Sequence, residues 1–136
     1  MPVVTVNYLA VLVGAIVSVV IGAVWYMPAL FGKAWMAAIG KTKEQVDADF
    51  SPLKIVWALI FGFVLSYGLA RLLVWSGKNT PVGGLEVGLL ACIGFVVTTT
   101  GVQLVFEGRP VKLNFIYALH HLVEFLAIGL LLGAWM

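Results

Sequence analysis

Apolar positions gather along the chain into four long stretches, separated by short segments rich in Gly, Pro, Asn and charge. Each stretch holds about 20 residues, which at about 1.5 Å per residue crosses a hydrocarbon core of about 30 Å. The pattern predicts helix one from about Asn7 to Met27, stopped near Pro28, and helix two from about Pro52 to Trp75, with Ser51 as cap and Pro52 as first residue. Helix three is expected from about Leu85 to Phe106 and helix four from Val111 to Met136. Between the first two, Phe31, Trp35 and Ile39 with Lys33 suggest a short helix lying in the membrane interface. Thr42 to Gln45 then reads as a capping box opening a polar turn of helix. The charged residues there, Lys41, Lys43, Glu44, Asp47 and Asp49, read as a solvated face. Gly77 to Gly84, with Asn79, Thr80 and Pro81, is a turn-rich connection, and Glu107-Gly108-Arg109-Pro110 leads into helix four. The expected fold is therefore an all-α membrane protein, residues 1–136 forming a single domain of four transmembrane helices plus the interfacial helix.

Within helix four the polar positions are not scattered. At about 100° per residue, Asn114, Tyr117, His120, His121 and Glu124 lie within an arc of roughly 120°, while Phe115, Leu119, Leu122, Leu126 and Leu130 point elsewhere. A carboxyl group in a bilayer costs roughly 3 kcal/mol on insertion scales, so this stripe should face protein or a water-filled cavity. Helix three offers Gly88, Cys92, Thr99 and Gln103 on one face, with Thr98 and Thr100 beside it. If that face meets the stripe, Gln103 and the threonines can hydrogen-bond Asn114, Tyr117 and His121, and the network only fixes helix register. A proton or ion relay through Glu124 and a histidine is the next reading. A metal site is less favoured, because adjacent histidines leave the helix about 100° apart and there is no second ligand cluster. One intramembrane histidine also suffices as axial ligand to a porphyrin-type pigment. No cofactor is expected on balance.

Small residues form rows at spacing of four: Ala10, Gly14, Ser18 and Gly22 in helix one, and Ala58, Gly62, Ser66 and Ala70 in helix two. Such rows let backbones approach closely where lipid removes the hydrophobic drive, so the two are expected to face each other. Gly129 and Gly133 make a further pair on a different side of helix four from the polar stripe. That pair either packs within the bundle or serves oligomerisation.

Composition narrows the class without changing the elements. The chain is 62% hydrophobic and only 10% charged, far from the soluble average of about a quarter charged. A net charge of +2 with scattered lysines gives no reason to expect nucleic acid as a partner. Cys92 is the single cysteine, which excludes an intramolecular disulfide. No Lys or Arg precedes Lys33, so the first stretch lacks the basic start of a secretory signal and reads as a retained helix. Trp25, Trp35, Trp57, Trp75 and Trp135 all fall at segment ends or in the interfacial piece, as an aromatic belt requires. Lys33, Lys41, Lys43, Lys54, Arg109 and Lys112 share one side, against Arg71 and Lys78 on the other, which places both termini outside by the positive-inside rule. Arg71 either pairs with Glu86 across the bundle or snorkels to the interface.

Two motifs carry a family resemblance. Trp25-Tyr26-x-Pro28-x-x-Phe31-Gly32-Lys33-x-Trp35, and Phe106-Glu107-Gly108-Arg109-Pro110 followed by a helix with Asn114, His121 and Gly129-x-x-x-Gly133, resemble the bacterial membrane proteins of domain-of-unknown-function family 1761 (DUF 1761). The resemblance covers nearly the whole chain. It implies a small four-helix protein of the bacterial inner membrane and no particular activity. His120 and Glu124 are not part of the shared pattern, so the resemblance points to the inner-face motifs as the place of a shared role.

The reading that follows is non-enzymatic: a laterally packing subunit of a larger membrane complex, or a homo-oligomer, among membrane lipids, with the helix-four stripe as a structural or ligand-binding network. A small proton-coupled transporter using Glu124 with His120 or His121 is the alternative, and a metal-dependent membrane enzyme comes third.

Overall fold

The computed structural model describes residues 5–136, so residues 1–4 of the expected domain lie outside the described residues. Every regular element among them is helical: α1 (Tyr8–Trp25), α2 (Gly32–Ile39), α3 (Lys43–Asp49), α4 (Pro52–Ser76), α5 (Pro81–Ala91), a π-helical segment (Cys92–Val97), α6 (Thr98–Phe106) and α7 (Val111–Trp135). Four helices are long and apolar enough to cross a membrane: α1, α4, the run from Pro81 to Phe106, and α7.

Local chemistry sets the boundaries. Asn7 opens α1 by accepting the Ala10 N–H at 3.1 Å. The helix ends at Trp25, two residues earlier than expected. Pro28 disfavours helical backbone at Met27, and the chain turns so that the Gly32 N–H reaches the Met27 carbonyl at 3.0 Å. Gly32 is obligatory in this turn, because a Cβ there would run into the Tyr26 carbonyl and stand 2.7 Å from the Met27 carbonyl carbon. The predicted interfacial segment is helix α2, ended by Gly40 at φ 71°. The expected capping box is present: Thr42 Oγ1 accepts the Gln45 N–H at 3.2 Å and the Thr42 N–H donates to the Gln45 side chain at 2.9 Å. Ser51 does precede α4, but its side chain makes no capping bond; Pro52 at the first turn sets the start.

The third span departs most from expectation. Thr80 caps α5 and the helix starts at Pro81, four residues before Leu85. Gly83 and Gly84, read from sequence as turn residues, sit inside it because the helix needs bare backbone there. A Cβ on Gly84 would overlap the Gly129 carbonyl of α7, and one on Gly88 would lie 2.6 Å from the Phe125 carbonyl. Gly133 likewise lies against the Thr80 carbonyl. Gly129 and Gly133 are thus used within the chain, against α5, and not as a free surface for oligomerisation. At Cys92–Val97 the helix widens to π, and Thr98 and Thr100 turn their hydroxyls back to the Gly94 and Val96 carbonyls at 3.0 and 2.7 Å, while Thr99 bonds the Phe95 carbonyl. Back-bonds of this kind from Thr hydroxyls bend and loosen a helix, and they cluster here at the end of the π segment.

Helix α7 is the centre of the arrangement, with α5 along one side and α1 along another, and α4 packs on α1. The small rows of α1 and α4 face each other as predicted: a Cβ at Gly14 would meet Ser66, and one at Gly62 would stand 3.2 Å from Ser18. Val11, Leu69, Leu73, Ile128 and Leu132 fill the core between them, with Cys92 and Phe125. This core occupies one half of the bundle. In the other half α4 falls away, and none of Pro52–Phe61 is buried.

Candidate functional site

Where α4 separates from α1 and α7 there is a crevice of about 430 Å³. Ser18, Val19, Gly22 and Ala23 of α1, Ile55, Ala58, Phe61, Gly62 and Leu65 of α4, and His120, His121 and Glu124 of α7 line it. Phe61 and Ile55 are 66% and 41% exposed on the outer surface, so the crevice opens sideways among apolar side chains rather than at a helix end. Its polar groups are few and converge, the arrangement typical of a small-molecule site.

Glu124 organises them. One carboxyl oxygen accepts a hydrogen bond from the Ser18 hydroxyl of α1, and the other lies 3.2 Å from Nδ1 of His121, one turn earlier on α7. Ser18 can reach because Gly14, Gly22 and Gly62 around it carry no side chains to hold α1 off its neighbours. His120 is nine-tenths buried, and neither of its ring nitrogens has a hydrogen-bond partner. A Cβ on Gly22 would lie 3.8 Å from His120 Nε2, so the glycine leaves room on that flank. Although the two histidines leave the backbone on different sides of Glu124, one ligating atom from each of His120, His121 and Glu124 falls within 4.8 Å of the others.

Behind His120, toward α2, stands an aromatic cluster built from the first family-like motif. The Tyr26 ring stands 5.2 Å from that of His120 and 5.1 Å from that of Trp35; Trp25 lies 6.0 Å from His120 and stacks on Phe31 at 4.4 Å. The Trp35 indole N–H donates to the Tyr117 hydroxyl at 3.3 Å. The turn at Pro28 and Gly32 folds α2 back onto α7 and so brings this motif against the stripe that sequence reasoning kept separate from it. Lys33 and Pro28 themselves are exposed.

Tyr117 and Glu124 of the stripe therefore bond Trp35 of α2 and Ser18 of α1, and not Thr99 or Gln103 of the third span as expected. Thr99 bonds its own helix, and Gln103 donates to Glu107 at 3.1 Å in an exposed position. Asn114 turns to a different, 250 Å³ cavity beside Thr100 and Gly101, with Oδ1 unpartnered. Gln103 and Asn114 are thus not part of the crevice. Glu107, Arg109, Lys41, Gln103 and Tyr117 share a second, more polar cavity of about 570 Å³ at the α2 end, with Gly108 at φ 67° forming its turn before Pro110 and Glu107 3.5 Å from Arg109. Arg71 does not pair with Glu86: it donates to Tyr67 at 2.8 Å and stacks over Trp75, while Glu86 pairs with Lys78. Ser18 is the residue that sequence reasoning assigned only to packing; its hydroxyl, alone among the Ala and Gly of its row, was the available signal.

A family model described as "Protein of unknown function (DUF1761)" matches residues 9–133. No curated protein and no solved structure matches the chain.

Proposed function

We propose, since the chain belongs to the DUF1761 family over nearly its whole length and that family brings no activity with it, that the function be read from the crevice: a multi-pass protein of the bacterial inner membrane, non-enzymatic, that binds an amphipathic molecule from the lipid phase. The polar end of the ligand would sit at Ser18, His120, His121 and Glu124, and its apolar part along Ile55, Ala58 and Phe61.

One observation carries this reading. A network that served only to fix helix register would leave its members paired, as Glu124 is; His120 is buried with both nitrogens unpaired beside a cavity open to the apolar surface. Buried polar groups without partners are uncommon in native proteins because each costs about 1–3 kcal/mol. A cavity of this volume falls in the range of ligand sites, roughly 300–1,000 Å³. The sideways opening supports a ligand that arrives from lipid.

Photoactivatable acyl lipid in proteoliposomes tests it. Labelling should concentrate on Ala23, Ile55 and Phe61, and Ala58→Phe, which fills the crevice from its outer wall, should reduce it at least several-fold. Labelling spread over all exposed apolar faces and indifferent to Ala58→Phe would end the proposal.

A further inference from the structure

The unpaired His120 and its neighbours have a chemistry that a hydrogen-bonding pocket does not require. We infer that His120, His121 and Glu124 form a binding site for one divalent transition-metal ion, of the zinc or ferrous class, on the α7 wall of the crevice. The inference rests on the crevice reading only for the ion's open coordination position, which would face the cavity.

The donor set is two imidazoles and one carboxyl group. Three protein ligands with open positions define catalytic-type zinc sites, and two histidines with one carboxylate hold non-haem ferrous iron. The spacing suits one helix: Glu124 is three residues from His121 and four from His120, so both are its neighbours on the surface of α7. Donors sharing an ion at about 2.05 Å in tetrahedral geometry stand about 3.3 Å apart, and His121 Nδ1 lies 3.2 Å from Glu124 Oε2. All three donors already lie within 4.8 Å, so a side-chain adjustment of the His120 ring completes the set.

Two further observations point to an ion. The Ser18 hydroxyl holds the second oxygen of Glu124, as outer partners orient metal-bound carboxylates. His120 is nine-tenths buried with unpaired nitrogens, and ligation would give one of them its partner. An ion of charge +2 held by one carboxylate keeps a net positive charge in an apolar wall, which favours a crevice ligand with an anionic or ionisable head group.

The test is a titration of tag-free, chelator-stripped protein in nanodiscs with Co²⁺, read by its visible absorption, and then with Zn²⁺, read by X-ray absorption at the zinc edge. The expected result is one ion per chain, ligated by nitrogen and oxygen donors only at about 2.0–2.2 Å. Ser18→Ala should weaken binding by roughly 10–100-fold, as loss of an outer partner does, and Glu124→Gln and His120→Asn should weaken it further. No stoichiometric binding, or binding unchanged in Glu124→Gln and His120→Asn, overturns the inference. If these buried variants do not fold, His121→Asn decides, since His121 lies at the partly exposed rim; full retention of binding there overturns it equally. Ion binding with unselective lipid labelling would keep the metal site and remove the crevice ligand, and selective labelling without ion binding would do the reverse.

Discussion

At the scale of single residues, the polar side chains divide into those that hold the chain in place at its wet ends and those buried in the spans. The Lys41–Asp49 pair is of the first kind, at 2.7 Å from the turn before α3 to the last residue of α3. The Lys41 ammonium, by hydrogen bond and by charge, holds the Asp49 carboxyl below the usual carboxylate range, and Asp47 raises Lys43 in the same way. A carboxyl with a depressed value favours the paired form above its ordinary titration range and loses that preference as pH falls through the lowered value. Asp49 followed by side-chain carboxyl NMR should therefore titrate below its ordinary range, and Lys41→Ala should bring the midpoint back up; an unchanged midpoint in the variant would dismiss the pair. Both residues are solvent-exposed, so the pair orients the α2–α3 turn and adds little stability. Ser18 is of the second kind, and its value lies in where it puts the Glu124 carboxyl.

At the scale of elements, glycine contacts decide how close the helices come. Gly84 meets the Gly129 backbone, and no side-chain rotation can relieve a methyl group added there. Gly84→Ala should force α5 off α7 and destabilise the protein by about 1–3 kcal/mol, the range for overpacking. Gly94→Ala, where nothing lies within 4 Å, should be neutral or better. Thermal unfolding in the same detergent compares them, and equal midpoints would mean that the Gly84 contact is not made. The same glycines explain what was legible in the sequence. The spans were, because apolar length and the prolines at 28, 52 and 110 mark them independently of neighbours. The start of α5 was not, since Gly83-Gly84 has the composition of a turn and only the opposing Gly129 shows that it is an interface. Periodicity placed Tyr117, His120, His121 and Glu124 on one side of α7, but a period gives the side and not the neighbour; Ser18 and the α2 aromatics were therefore missed as partners, and Gln103, which shares a cavity with Tyr117 alone of these, and Asn114 were grouped with residues they do not meet.

At the scale of the whole molecule, the uneven core matters most: one half is filled by Leu73, Ile128 and Leu132, and the other half is open at the α4 wall. The open half lies at the end with Lys41, Lys43 and Arg109, the end that the positive-inside rule leads one to expect in the cytoplasm. A membrane-impermeant maleimide should then react in intact cells with Lys78→Cys but with Lys43→Cys only after permeabilisation; Cys92, fully buried, leaves the background low. The opposite pattern would invert the orientation. The π segment at Cys92–Val97 has a different kind of consequence. A π turn contains one residue more than the α turn it replaces. The third span thus carries a spare residue, and losing it would return the segment to α pitch with α6 keeping its present face and Gly84 and Gly88 still seated on α7. Within this span, that is the one stretch where chain length can drift by a single residue without unseating the helix pair on which the rest of the bundle is assembled.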